Sequence, residues 1–256
     1  MTTTLRRLAF FTALIAIWES IYRINMTLEF RSTRGFPSPS GAIEQLYKGF
    51  FESGILSNAL ITSLQRISIG FALALIIGAA LGILLGQSKL ADETIGSLVI
   101  ALQSIPSIVW LPIALIIFGP AGNVAIIFII VLGGTWAMTM NMRMGIKNVQ
   151  PLLIRAARTM GYSGSELIWK VMIPASIPAA LTGARLAWAF GWRALMAGEL
   201  LGRGGLGRTL LDARDMFNID LVIAIMVIIS TIGLFVEYLI FNPIERKVMT
   251  RWGLAK

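Results

Sequence analysis

The 256-residue chain contains no cysteine and no histidine. Without thiols it can form neither disulfides nor thiolate metal sites, and without imidazole it lacks the commonest metal ligand and the usual near-neutral acid or base. Charge is scarce too. Charged residues make up 14% of the chain, against roughly 25% in soluble domains. Acids are the scarcer sign, with 13 Asp and Glu against 22 Lys and Arg and a net charge of +9. Apolar residues fill the gap: they account for 56% of positions, and mean hydropathy is +0.78. The basic excess is not carried on a polar face interleaved with aromatics, which argues against nucleic-acid binding.

Crossing a hydrocarbon layer of about 30 Å takes about 20 apolar residues as a helix. Six such runs are read, at about 8–24, 67–85, 95–118, 123–142, 179–200 and 221–241. They leave no room for a sizeable soluble domain, so the expectation is an all-α integral membrane protein with six transmembrane helices. Residues 1–58 are expected to form an N-terminal crossing and an outer amphipathic segment. Residues 59–256 are expected to form the core, with a cytoplasmic loop at 143–178. The basic residues of the intervening segments favour the side that holds both termini and this loop, twelve against eight. That bias places both termini inside. Arg6 and Arg7 before an apolar run resemble a signal peptide, but no small-residue cleavage site follows, so the first helix is expected to be retained.

Several local patterns refine this picture. Glu19 and Arg23 stand four apart, as a helical ion pair. Phe36-Pro37-Ser38-Pro39-Ser40 reads as a turn with Ser40 capping a helix at 41–51, and Gly119–Asn123 as a second turn. Gly70, Ala74, Gly78, Gly82 and Gly86 recur every four residues, a stripe that lets two backbones approach closely in lipid. The third run carries Gln103, Ser104, Pro106, Ser107 and Pro112. Prolines there free backbone carbonyls that need a partner or a water-filled cavity, a feature common beside transport pathways. The fifth run buries Arg185 and Arg193, each costing about 3 kcal/mol near a bilayer centre. Glu237 is the expected partner of Arg185, whereas Arg193 has none in view and is the candidate to meet an anion. Gln103, Ser104, Trp192, Arg193 and Glu199 are therefore expected to line a pathway. Gly202–Gly207 fits G-x-G-x-x-G, and Gly202–Thr209 resembles a Walker A with Arg208 in place of Lys. Both need a βαβ unit; here the segment follows an apolar helix, so an outer turn is expected.

Arg155-Ala156-Ala157-Arg158-Thr159-Met160-Gly161, then Val171-Met172-Ile173-Pro174, forms a polar stretch between two long apolar helices. A short helix, a glycine break, a second short helix and a proline stop make a rigid knob. The spacing resembles the Glu-Ala-Ala-x3-Gly-x9-Ile-x-Leu-Pro coupling motif of binding-protein-dependent ABC-importer permeases, with Arg155 where Glu is usual. Trp192-Arg193, Ala197-Gly198-Glu199, Gly205-Leu206-Gly207, Pro37–Ser40, Ser63-Leu64-x-Arg66 with Gly70, and Ile105-Pro106 resemble the nitrate/sulfonate/taurine subgroup. The resemblance implies a type I (MetI-like) permease bundle in the bacterial inner membrane, working as a homodimer by alternating access. Its partners would be two cytoplasmic ABC ATPases and an extracytoplasmic substrate-binding protein. ATP and Mg would be bound by the ATPases, with no cofactor or metal in this chain. Arg155, Ala156, Ala157, Gly161, Ser165 and Pro174 would couple to the ATPase. The cargo would be a small anion of the sulfonate, taurine or nitrate type, or else a vitamin precursor or aromatic acid.

Two other classes fit these residues less well. An integral-membrane enzyme needs converging acid, base, nucleophile or metal-binding groups, and the later helices offer only Glu199 and Glu237. A structural scaffold would need neither the cytoplasmic knob nor intramembrane arginines.

Overall fold

A computed structural model describes residues 3–27, 36–119 and 123–252, and among them there is no strand. The helices are α1 (Thr3–Thr27), α2 (Pro39–Tyr47, extended by a π turn at Lys48–Glu52), α3 (Ile55–Gln87) and α4 (Lys89–Gln103). They continue with a 3₁₀ turn Ser107–Trp110, α5 (Leu111–Phe118), α6 (Asn123–Lys147), α7 (Pro151–Thr159) and α8 (Gly164–Ala175). The last are α9 (Ile177–Leu201), α10 (Leu206–Asp215) and α11 (Ile219–Arg251).

Helices α3, α6 and α11 are each long and apolar enough to cross a membrane. The bent pairs α4 with Ser107–Phe118 and α8 with α9 raise the number to five if each is one span. The sixth expected crossing, 8–24, falls in α1, whose described side chains are mostly exposed.

The chain groups into two compact units. The first comprises residues 1–62 and 204–234, so it joins a later segment to the N-terminal region expected at 1–58. In this unit the cap of α2 differs from expectation. Ser38, not Ser40, is the N-cap: its Oγ accepts from Gly41 N at 2.9 Å, with Pro39 as the first helical residue. Proline is pre-organised for that position because its missing N–H would have no partner there anyway. Ser40 turns instead to Glu19, donating through Oγ at 3.2 Å, while Arg23 Nε donates to Glu19 at 2.9 Å. Ser38 N donates to Asp220 Oδ1 at 2.7 Å, tying α2 to the start of α11.

The second unit, residues 63–203 and 235–256, contains the candidate sites. Its centre is α6, gripped on one side by the small-residue stripe of α3. A Cβ added to Gly78 would sit 2.6 Å from Met138 Cβ, and one on Gly82 would sit 2.6 Å from Met142 Cβ and 2.7 Å from Thr139 O. Gly70 and Gly86 abut Ile130 and Ile146 in the same way. The stripe is thus spent on packing within the chain. Lipid offers apolar side chains no advantage from burial, so close backbone approach and dispersion supply the attraction. On the other side α9 meets α6 through Gly183 and Gly198, against Asn141 and Ile129.

Three expectations change along this unit. The helix expected at 67–85 begins at Ile55, which brings Ser63 and Arg66 inside it. The single kinked crossing at 95–118 is a break: α4 ends at Gln103, and the next helical axis turns by 93°. Pro106 is extended (φ −54°, ψ 132°), because proline cannot continue the hydrogen-bonded ladder and biases Ile105 away from helix. The stop expected at Pro174 comes one residue later: after a π turn at Ile168–Met172 the chain stays helical to Ala175, and the 64° bend comes at Ser176. Gly119 ends α5 with φ +83°, and residues 120–122 of the expected Gly119–Asn123 turn lie outside the described residues.

Candidate functional sites

The 93° break opens a cavity of about 440 Å³ walled by three elements. Gln103, Ile105, Pro106, Ser107 and Ile108 come from the break itself, Gly133, Trp136 and Ala137 from α6, and Phe190, Arg193, Ala194 and Ala197 from α9. Glycine at 133 keeps α6 from filling the space, since a Cβ there would lie 3.3 Å from Ala194 Cβ and 3.4 Å from Ser107 Oγ. Arg193 is exposed and lies over the Phe190 ring, one helical turn earlier, at 5.7 Å. Among the described residues no carboxylate comes within 4.0 Å of it. Of the five expected pathway residues, the cavity gathers Gln103 and Arg193. Ser104 faces elsewhere, its Oγ bonded to Ala101 O at 2.6 Å. Trp192 packs beside Ile67, Ile126, Ile130 and Leu195 and stacks on Trp188 at 5.8 Å.

Glu199 has a different surrounding altogether. It is completely enclosed, and Ser63 Oγ donates to both its oxygens at 2.9 and 2.8 Å. Arg66 Nη1 donates to Oε1 at 2.9 Å. The same guanidinium reaches Asn123 Oδ1 from Nε at 3.0 Å and the Arg203 carbonyl from Nη2 at 2.6 Å. A buried charge persists only where it is paired and its remaining donors are satisfied, and this network satisfies both conditions. It fastens α3, α6 and the end of α9 together and leaves Glu199 away from the cavity. Neither Ser63, Arg66 nor Asn123 was expected to act with Glu199. The readable signal was the absence of any breaker between Ile55 and Gln87, which puts Ser63 and Arg66 on one helical face.

The other intrahelical arginine behaves as expected and more. Arg185 Nε lies 3.5 Å from Glu237, and its Nη2 donates to Glu245 at 2.8 Å and to Asn242 at 3.0 Å. Glu237 lies in a π turn at Val236–Phe241, and Asn242 and Glu245 follow it around Pro243. At the far end of α6, Asp92 in the first turn of α4 accepts from both Arg143 and Lys147.

The knob is built largely as its sequence suggests. Gly161 N donates to Arg158 O and Tyr162 N to Ala157 O, both at 3.0 Å, with Gly161 at φ +92°. This paired closure of the last turn requires a left-handed residue, the natural place for glycine. Ala157 is buried, while Arg155, Ala156, Gly161 and Ser165 are exposed and Pro174 is half-buried. Leu152, Met160 and Trp169 are also exposed. Lys170 binds Glu166 at 2.7 Å, which raises its pKa, and lies over the Tyr162 ring. The look-alike nucleotide segment forms bends at Gly202–Gly205, with Gly204 and Gly205 at φ +68° and +89°, and it follows a helix rather than a strand.

Small residues seat α6 between α3 and α9, and an exposed two-helix knob follows it. Residues 55–249 match the family described as the binding-protein-dependent transport system inner membrane component, and the chain belongs to that family. It is 36% identical to a putative ABC transporter permease of Methanocaldococcus jannaschii, over 87% of this chain and 83% of that one. It is 32% identical to the nitrate import permease NrtB of Synechocystis, over 78% and 76%. It is 29% identical to the taurine transport permease TauC of Escherichia coli, over 93% and 86%. Its fold matches that seen in inward-facing structures of the MetNI methionine ABC transporter, with a TM-score of 0.68 at 19% identity, over 77% of this chain and 97% of that one. The chain is a multi-pass membrane permease subunit of an ABC transporter.

Proposed function

We propose that this permease imports a small anion and that Arg193 is the residue that meets it. The observation that carries this reading is a guanidinium on the wall of the cavity at the α4 break, with an aromatic ring beside it and no carboxylate within ion-pair distance among the described residues. Placing an arginine in a crossing costs about 3 kcal/mol, and Arg185 offsets that cost with Glu237 and Glu245 while Arg193 does not. Relatives named for nitrate, taurine and aliphatic sulfonates support the same class of cargo.

The exposed knob at α7 and α8 docks on a cytoplasmic ATPase, with Arg155, Ala156, Gly161 and Ser165 on its outer surface. In this reading the chain crosses six times with both termini inside, pairs with a second copy of itself, and receives cargo from an extracytoplasmic binding protein. ATP and Mg belong to the ATPases. Closure of the ATPases drives alternating access through the knob.

The test is uptake into proteoliposomes holding the whole transporter, with nitrate, taurine and an alkanesulfonate as cargo. Arg193→Met is expected to lower uptake at least tenfold while the assembled complex is recovered in normal yield, and Arg193→Lys to restore part of it. Unchanged uptake removes Arg193 from the path. Loss of assembly instead assigns it a structural role.

A further inference from the structure

The cavity's lining is strongly uneven. Its polar residues are Gln103, Ser107 and Arg193, and the rest of the wall is apolar, dominated by Ile105, Ile108, Trp136 and Phe190. A bare inorganic oxyanion would occupy a small part of 440 Å³ and leave water against those apolar surfaces. No second basic residue lines the space. A doubly charged anion would therefore carry uncompensated charge into an apolar surround, which is costly without a partner.

We infer that the permease itself carries a selective site for organic monoanions, with the headgroup held by Arg193, Gln103 and Ser107 and an apolar body lying on Trp136 and Phe190. This rests on the reading of Arg193 as the anion-binding residue and adds a second selection step within the membrane subunit. The headgroup chemistry is a singly charged oxyanion, sulfonate or carboxylate. The apolar wall makes the site read chain length. Burying one methylene contributes enough to change affinity by about fourfold, so a butyl chain exceeds a methyl one by roughly 50-fold if every added carbon is buried. Trp136 and Phe190 approach from α6 and α9, so the selection depends on the packing of those two helices.

The experiment is equilibrium binding of radiolabelled butanesulfonate to the permease–ATPase complex in nanodiscs, without binding protein. Methanesulfonate, pentanoate, nitrate and sulfate serve as competitors. Affinity is expected to rise severalfold per methylene, pentanoate to compete within about tenfold of butanesulfonate, and sulfate to compete at least 100-fold more weakly. Trp136→Ala should weaken butanesulfonate about tenfold and methanesulfonate hardly at all, flattening the chain-length dependence. If that variant fails to assemble, Phe190→Ala at the more exposed wall supplies the same slope. Nitrate or sulfate competing as well as butanesulfonate, with binding still lost in Arg193→Met, overturns the organic-anion site and leaves anion import standing. Binding by no probe overturns the site and leaves anion import to the uptake test, whereas binding indifferent to Arg193→Met overturns both.

Discussion

Replacing Glu199 by alanine tests the tertiary reading most sharply, because it separates a pathway carboxylate from a structural one. Glu199 is fully enclosed and Arg66 nearly so, at 0% and 5% side-chain exposure. Removing the carboxylate strands a guanidinium in a closed site and takes the acceptor from Ser63 Oγ. Breaking a buried ion pair by deleting one partner costs about 3–5 kcal/mol. Arg66 keeps Asn123 Oδ1 and the Arg203 carbonyl as acceptors, which puts the loss at the lower end, about 3 kcal/mol. For a domain of this size 1 kcal/mol moves the unfolding midpoint by about 2–4 °C, so a fall of roughly 6–12 °C is expected. The assay is the midpoint of reversible unfolding, with parent and variant compared in one detergent at one scan rate. The double variant Arg66→Met/Glu199→Leu should recover much of the loss, because apolar side chains of similar volume often replace a buried pair without penalty. A midpoint for Glu199→Ala within about 2 °C of the parent, less than 1 kcal/mol by the same scale, would refute the buried-pair argument. If uptake were also lost, the result would favour Glu199 as a pathway residue.

Two further outcomes follow from the packing and from the knob. Gly82→Leu should sharply reduce the yield of folded protein, because its Cβ alone would sit 2.7 Å from a backbone carbonyl of α6; normal yield by gel filtration would show that α3 does not lie against α6 in this register. Gly161→Val adds a Cβ that meets no neighbouring atom within 4 Å, so its expected cost comes through the φ of +92°, on the order of 1 kcal/mol or more. It should therefore leave the subunit folded but abolish uptake and weaken ATPase co-purification, whereas Arg155→Glu should be tolerated better. Wild-type uptake by the Gly161→Val complex would make the knob an ordinary connector.

Local chemistry was sufficient for much of this protein. Scarce charge and long apolar runs determined a helical membrane protein, because backbone polar groups in lipid must be satisfied within each segment. Glycine spacing determined that α3 packs closely on something, and the Gly161 and Pro174 spacings marked the knob. The pairing of Arg185 with Glu237 was legible because both lie at matching depths on apolar helices. The sequence alone did not say what the stripe packs against, since a row of small residues suits any helix surface within or between chains. Nor did it separate Arg193 from Glu199, two charges on one helix. Only the tertiary arrangement brings Ser63 and Arg66 to Glu199 across more than 130 positions and leaves Arg193 on an open wall. Pro106 announced a disruption at the third crossing, but a proline fixes only its own φ. The 93° turn and the cavity beneath it were decided by how the segments on either side pack against α6 and α9.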